Sequence, residues 1–174
     1  CLEKAAEMID YGSVTDAEKT KAAAQGKKIG KAVVGLHKAP AMPPFTATTV
    51  ILKMNEDATV TANLTLTDYG QGTYTAVAQM IAERLRMPMD RVKVAFESDT
   101  DRDPYDWQTV ASKGLLLSGN AAILAADDLI ATAYEDAAQV LRAHTRDLDH
   151  DADGIFLRHD PEHKVTWKQL AIGY

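Results

Sequence analysis

Cysteine is almost missing from this chain of 174 residues: Cys1 stands alone, so no disulfide braces the fold, and a reducing, cytoplasmic setting is the expectation. Aromatic residues make up only 6%, so the core must be built from aliphatic side chains. Basic charge falls short of acidic, with 19 Lys and Arg against 25 Asp and Glu and a net charge of -6. That argues against nucleic acid as a partner, because a binder of the phosphate backbone needs a basic face. No window approaches the roughly 18 consecutive apolar residues of a membrane span. Glu3, Lys4, Glu7 and Asp10 charge the start of the chain, so no secretory signal is expected either. An initiator Met is missing too, and with the abrupt end at Tyr174 the sequence reads as cut from something longer.

What is present suffices for a folded domain. Hydrophobic residues reach 46%, and a chain of this length buries roughly 70% of its unfolded surface. Leu2, Ala5, Ala6 and Ile9 recur at helical spacing, and a second helical stretch spans about Thr15 to Gln25; residues 1–26 form a helical lead-in. The period then changes to two. Ile29 to Lys38 is strand-like, Thr46 to Met54 places Val50, Leu52 and Met54 on one face, and Thr59 to Thr67 alternates around Val60, Ala62, Leu64 and Leu66. These last two predict an antiparallel hairpin. Tyr74, Val77, Ala78, Ile81 and Leu85 line one face of a helix that Pro88 ends, and Val92, Val94 and Phe96 make another strand. The longest helix runs from about Ser112 to about Arg146, roughly 50 Å, with Gly119 as the expected break. Gly154 to Leu157 against Lys164 to Trp167 reads as a terminal hairpin within residues 148–174. The fold class is α+β: a mostly antiparallel sheet with helices packed on one side, including one long helix, and residues 27–147 as its core.

Two strand-to-helix junctions carry the chemistry. Gly70, Gln71, Gly72 and Thr73 follow a confident strand; two glycines admit close backbone approach, and the free amides of a helix start favour an anion. Gln71 adds an amide that donates and accepts. The plain alternative is a turn that needs glycine for its backbone angles. Thr109, Val110, Ala111, Ser112, Lys113 and Gly114 form the second junction, with two hydroxyls and a cation for an anion, or with Thr109 or Ser112 as a simple N-cap. If the two strands are neighbours, both helix starts open on one edge, and one phosphorylated ligand bridges them. A third constellation is acidic: Asp149, Asp151, Asp153 and Asp160 fit the ligand positions of a calcium loop, although Asp replaces the usual final Glu and Pro161 follows at once. The late histidines 144, 150, 159 and 163 read as solvated, and Ser112 has no His and Asp partners at a spacing suited to nucleophilic catalysis.

Gly70-Gln71-Gly72-Thr73-Tyr74-Thr75, the upstream Lys38-Ala39-Pro40-Ala41-Met42-Pro43-Pro44, and Tyr105-Asp106-Trp107-Gln108-Thr109-Val110-Ala111-Ser112 with Gly119-Asn120-Ala121 together resemble the large, molybdenum-binding subunit of the xanthine dehydrogenase and aldehyde oxidoreductase family, in particular its bacterial aromatic hydroxylase and hydroxybenzoyl-CoA reductase branch. The likeness runs through nearly the whole chain. It implies a molybdopterin cofactor, in bacteria often the cytosine dinucleotide, held by Gly70, Gln71, Gly72 and Thr73 and by a second loop of Thr109, Val110, Ala111, Ser112 and Gly114, with the Ala111 backbone close to the metal. Ala41 and Met42 would sit near the substrate funnel. Lys113 departs from the Arg or small residue the family leads one to expect. The resemblance further implies hydroxylation of a small molecule with water-derived oxygen, iron–sulfur clusters and FAD on partner subunits or domains, and the remainder of the molybdenum subunit as immediate partner. The family's basic Glu and its glycine-rich oxo-holding stretch are not in this sequence, so the chain alone is expected to be inactive. The competing readings are a calcium-binding or structural module built on Asp149 to Asp160, and an independent nucleotide-binding domain at the Gly70 turn.

Overall fold

A computed structural model describes residues 1–38 and 46–173; Ala41 and Met42 lie outside the described residues. The chain divides into two compact units, residues 1–44 and 45–174. The first holds α1 (Leu2–Met8) and α2 (Asp16–Ala23), neither of which buries a residue. Thr15 caps α2 reciprocally: its hydroxyl accepts from the Glu18 amide at 3.2 Å, and the Glu18 carboxylate accepts from the Thr15 amide at 2.9 Å. The strand expected over Ile29 to Lys38 is not there. Val34 and Leu36 are 86% and 92% exposed. Alternation predicts only a face, and among the described residues no neighbouring strand pairs with this one.

The second unit starts with β1 (Ile51–Met54) and β2 (Val60–Asn63), antiparallel with Leu52 opposite Ala62. Asp57 ties their turn by accepting from the Thr59 amide at 3.0 Å and from its hydroxyl at 2.6 Å. α3 (Thr73–Arg84) then crosses over to β3 (Val92–Val94), which lies parallel to β2 with Ala62 opposite Val94. The chain continues through α4 (Lys113–Leu141) into β4 (Leu148–His150), β5 (Gly154–Leu157) and β6 (Asp160–Thr166), an antiparallel meander, and ends in α5 (Trp167–Ala171). The fold is α+β and mostly antiparallel, but its strands form two small sheets, with the 29-residue α4 between them in sequence.

α4 does not break at Gly119. That glycine lies against α3, where a Cβ would come within 2.7 Å of the Met80 sulfur, so it serves close helix approach. The helix stops short of Arg146, at Arg142 in a left-handed turn with φ 51°. By length and composition α4 could cross a membrane, a property that a search for unbroken apolar runs misses; here its Ala122, Ala126, Ala137 and Leu141 are buried in the core. The core is aliphatic, as the scarcity of aromatics requires: Val60, Ala62, Leu64 and Leu66 meet Val77, Ile81 and Leu85 of α3. Trp167 is the large exception, 1% exposed, with its indole N–H donating to the Asp151 carbonyl at 2.9 Å.

Candidate functional site

The ladder of β2 ends at Asn63, yet the alternation of burial continues through Leu64 and Leu66. The segment 104–109 takes the place of a neighbouring strand. The Thr65 hydroxyl donates to the Pro104 carbonyl, Thr49 N–H donates to the Tyr105 carbonyl at 3.1 Å, and Trp107 N–H donates to the Ala47 carbonyl at 3.1 Å. At the end of this seam the Thr67 amide donates to Thr109 Oγ1 at 2.8 Å. One hydrogen bond therefore joins the approaches to both junctions, 42 residues apart in sequence. Gly114, in the first turn of α4, is buried beneath them; a Cβ there would lie 3.2 Å from Leu66 and 3.3 Å from Thr109.

At the first junction Gly70 and Gly72 have φ of 105° and 78°, and a Cβ on either would meet no atom within 4 Å. Their backbone is bare and approachable. The helix start, however, does not offer free amides. Asp68 fills it: Oδ1 accepts from the Gly70 and Gly72 amides at 2.8 and 3.2 Å, and Oδ2 accepts from the Tyr74 amide at 3.2 Å. The expectation of an open anion site on α3 is thereby corrected. The signal was an Asp two and four residues before the glycines, the arrangement of an Asx turn. Burial pushes this carboxyl up, but the amides of Gly70, Tyr74, Gly72 and Thr73 outweigh it and hold it below the usual carboxylate value. Such a group adds stability above the unfolded value near 3.8, and loses it as pH falls through the lower folded value. An NMR titration of the Asp68 carboxyl carbon is expected to give a midpoint below 3.8; a midpoint at or above that value would show the amide cap to be absent.

Gln71 is exposed but not loose. Its Nε2 donates to the Thr67 carbonyl at 3.1 Å and its Oε1 accepts from the Tyr69 amide at 2.6 Å. Each end of the amide keeps further hydrogen-bonding capacity. Thr73 is buried beneath the turn, and Tyr74 donates its hydroxyl to the Leu66 carbonyl.

At the second junction Thr109 and Val110 are half-buried, and Ala111 and Ser112 are exposed. Ala111 adopts φ 47°, a left-handed conformation that costs a non-glycine residue about 1 kcal/mol. Composition gives no sign of it. The simple capping alternative does not hold, since Ser112 makes no side-chain cap and Thr109 faces Thr67 instead. Lys113 also departs from expectation. Rather than offering its charge outward, it is buried, and its ammonium donates to Asp106 at 2.8 Å, the Gln108 carbonyl at 2.8 Å and Thr48 Oγ1 at 3.3 Å. Nothing in local spacing reveals a partner 65 residues away.

The calcium reading is corrected by the meander. Asp149 lies in β4 and pairs with Arg86 at 2.9 Å and Arg158 at 3.6 Å; Asp151 accepts from the Asp153 and Gly154 amides at 2.8 and 3.1 Å; Asp160 opens β6 opposite Leu157. The four carboxylates are spread over β4, the turn that follows it and β6, and among the described residues no three Asp, Glu, His or Cys side chains gather for a metal. His150 is buried, not solvated: its Nδ1 lies 2.9 Å from the Tyr134 hydroxyl, and burial together with Arg86 pushes its imidazole toward the neutral form. A cleft of about 630 Å³ beside it, lined by Arg84, Arg86, Tyr134 and Arg158, shares no residue with the two junctions.

Residues 4–174 match the family model of the molybdopterin cofactor-binding domain. The carbon monoxide dehydrogenase large chain of Afipia carboxidovorans is 33% identical over 69% of this chain and 15% of its own length. A probable hypoxanthine oxidase of Escherichia coli K12 is 31% identical over 73% of this chain and 13% of its own. Among solved structures, reconstituted CO dehydrogenase from Oligotropha carboxidovorans superposes with a TM-score of 0.66 at 32% identity, over 72% of this chain and 16% of that one. Quinoline 2-oxidoreductase from Pseudomonas putida 86 also gives 0.66, at 21% identity over 74% and 16%, which shows a shared fold. The present chain thus spans about a sixth or less of the length of these relatives.

Proposed function

This chain belongs to the molybdopterin cofactor-binding domain family, and from that premise we propose that it supplies two cofactor loops to the large subunit of a molybdenum hydroxylase. The observation that carries the reading is the Thr67 to Thr109 hydrogen bond, which brings the two loops to one edge. In this reading Gly70, Gln71, Gly72 and Thr73 form one loop, and Thr109, Val110, Ala111, Ser112 and Gly114 the other.

The donor set suits the organic part of the cofactor. The Gln71 carboxamide, the Ser112 hydroxyl and the backbone groups that Asp68 does not take match the donor and acceptor edge of a pterin and the oxygens of its phosphate, whereas the loops carry no thiolate or imidazole for a metal. Gly70 and Gly72 let a ring or phosphate reach the backbone, Gln71 is held ready by Thr67 and Tyr69, and buried Thr73 and Gly114 support the loops from beneath. When bound, the molybdenum centre supplies the oxidation chemistry. These residues bind and orient it. The finer assignments follow the family likeness: the cytosine dinucleotide form, iron–sulfur and flavin partner subunits, a small-molecule substrate and a cytoplasmic location.

Purification of the full-length parent with its partner subunits tests the reading. Molybdenum and pterin are expected in near-equimolar amount to the large subunit, and acid hydrolysis is expected to release cytidine monophosphate. A correctly assembled complex that carries neither molybdenum nor pterin would overturn the proposal.

A further inference from the structure

We infer that Lys113 is a positioning residue for the second cofactor loop, its buried ammonium clamping residues 108–112 into the shape that faces the first. This rests on the cofactor reading above and adds the device that sets the loop's geometry. The side chains of Lys113 and Asp106 are 5% and 2% exposed, so both charges have left water. Such a pair persists only where each charge is fully partnered.

Lys113 meets that condition. Its three donors go to three acceptors: the Asp106 carboxylate, the Gln108 carbonyl and the Thr48 hydroxyl. The ammonium also lies 5.7 Å from the centre of the Trp107 ring. Asp106 accepts in addition from the Thr48 hydroxyl and bridges that residue in antiparallel pairing. The partners belong to separate stretches of chain, while Lys113 is the first residue of α4.

The bond from Lys113 back to Gln108 spans five residues and closes the loop into a ring. Val110, Ala111 and Ser112 form its outward arc. Ala111 is held at φ 47° within that arc, and a non-glycine residue stays in this region only where its surroundings over-determine it. Thr109 anchors one side of the arc to Thr67; the Lys113 clamp anchors the other. Its task is mechanical, and no contact between Lys113 and the cofactor is needed.

Two substitutions in the full-length holoenzyme separate positioning from bulk stability. Lys113→Met strands the Asp106 charge and is expected to lower both thermal stability and pterin content. Lys113→Met with Asp106→Leu replaces the pair by apolar side chains, an exchange that proteins often tolerate without loss of stability. The double variant is expected to regain most of the lost stability, yet to retain at least about tenfold less pterin and molybdenum per large subunit, roughly the effect of 1.4 kcal/mol in binding. If it regains stability and cofactor content together, Lys113 serves the fold alone and the inference fails. A wild-type enzyme without cofactor would instead sink the reading on which it rests, so the two failures are distinguishable.

Discussion

Replacing Gly154 by alanine is expected to destabilise the second unit by about 3 kcal/mol or more, near the upper end of what overpacking costs. A Cβ at this position would lie 2.1 Å from the Val165 carbonyl oxygen, 2.7 Å from Thr166 Cα and 2.9 Å from Val165 C. All three are backbone atoms of the paired strand β6, and no rotamer change relieves them. Gly154 sits opposite Thr166, whose hydroxyl caps α5 by accepting from the Gln169 amide at 3.2 Å. The next residue, Trp167, donates its amide to Asp153 at 3.1 Å and its indole N–H to Asp151 at 2.9 Å. Pushing β6 away thus loosens the largest core side chain as well. For a domain of this size the loss corresponds to a fall in Tm of roughly 6–12 °C, which a melt followed by circular dichroism would record. A Tm unchanged within about 2 °C would mean that the strands are not this close.

Gly72→Val is expected to act on the cofactor more than on the fold. A β-branched residue at φ 78° is a conformational outlier, and straining one such residue costs about 1–2 kcal/mol. No protein atom in the structure would meet the new Cβ, so the added methyls project into the open space over the turn. If the cofactor occupies that space, the holoenzyme loses at least about tenfold in pterin content, against a modest fall in Tm. The same variant with full pterin content would remove Gly72 from the cofactor contacts.

Local periodicity made much of this fold legible. The alternation around Val60 and Leu66, the helical face of Val77 and Ile81 and the hairpin of Gly154 to Leu157 with Lys164 to Trp167 all depend on neighbours in sequence, and the structure pairs and buries them accordingly, except that Trp167 opens α5 instead of ending the strand. Ile29 to Lys38 shows where this reasoning stops. The same alternation yields no strand, because a strand needs a second one beside it, and Val34 and Leu36 stay exposed.

The candidate site divides in the same way. Both glycine junctions stand out in sequence as strand-to-helix transitions, and the bond between Thr67 and Thr109 supplies the adjacency on which a shared edge depends. Two charged side chains of the junctions, Asp68 and Lys113, are each consumed within the chain, one by amides of the Gly70 to Tyr74 turn and the other by partners as distant as Thr48. An internal partner of a charged residue leaves a trace in sequence only when it is close, as for Asp68. The calcium spacing at Asp149 to Asp160 does not become a loop, since Asp149 and Asp160 lie in different strands and Asp151 and Asp153 in the turn between β4 and β5.

The carboxylate of Asp68 gives the first loop a property beyond its hydrogen bonds. Because the chain's own anion gathers the amides of Gly70, Gly72 and Tyr74, the turn draws its shape from within. If this loop receives the cofactor as proposed, insertion resembles closing a latch on a finished frame: the entropy of ordering this segment was spent when the protein folded, and little of the binding free energy goes to it. Loading should therefore be governed by how the cofactor reaches the edge rather than by how long the loop takes to find its form.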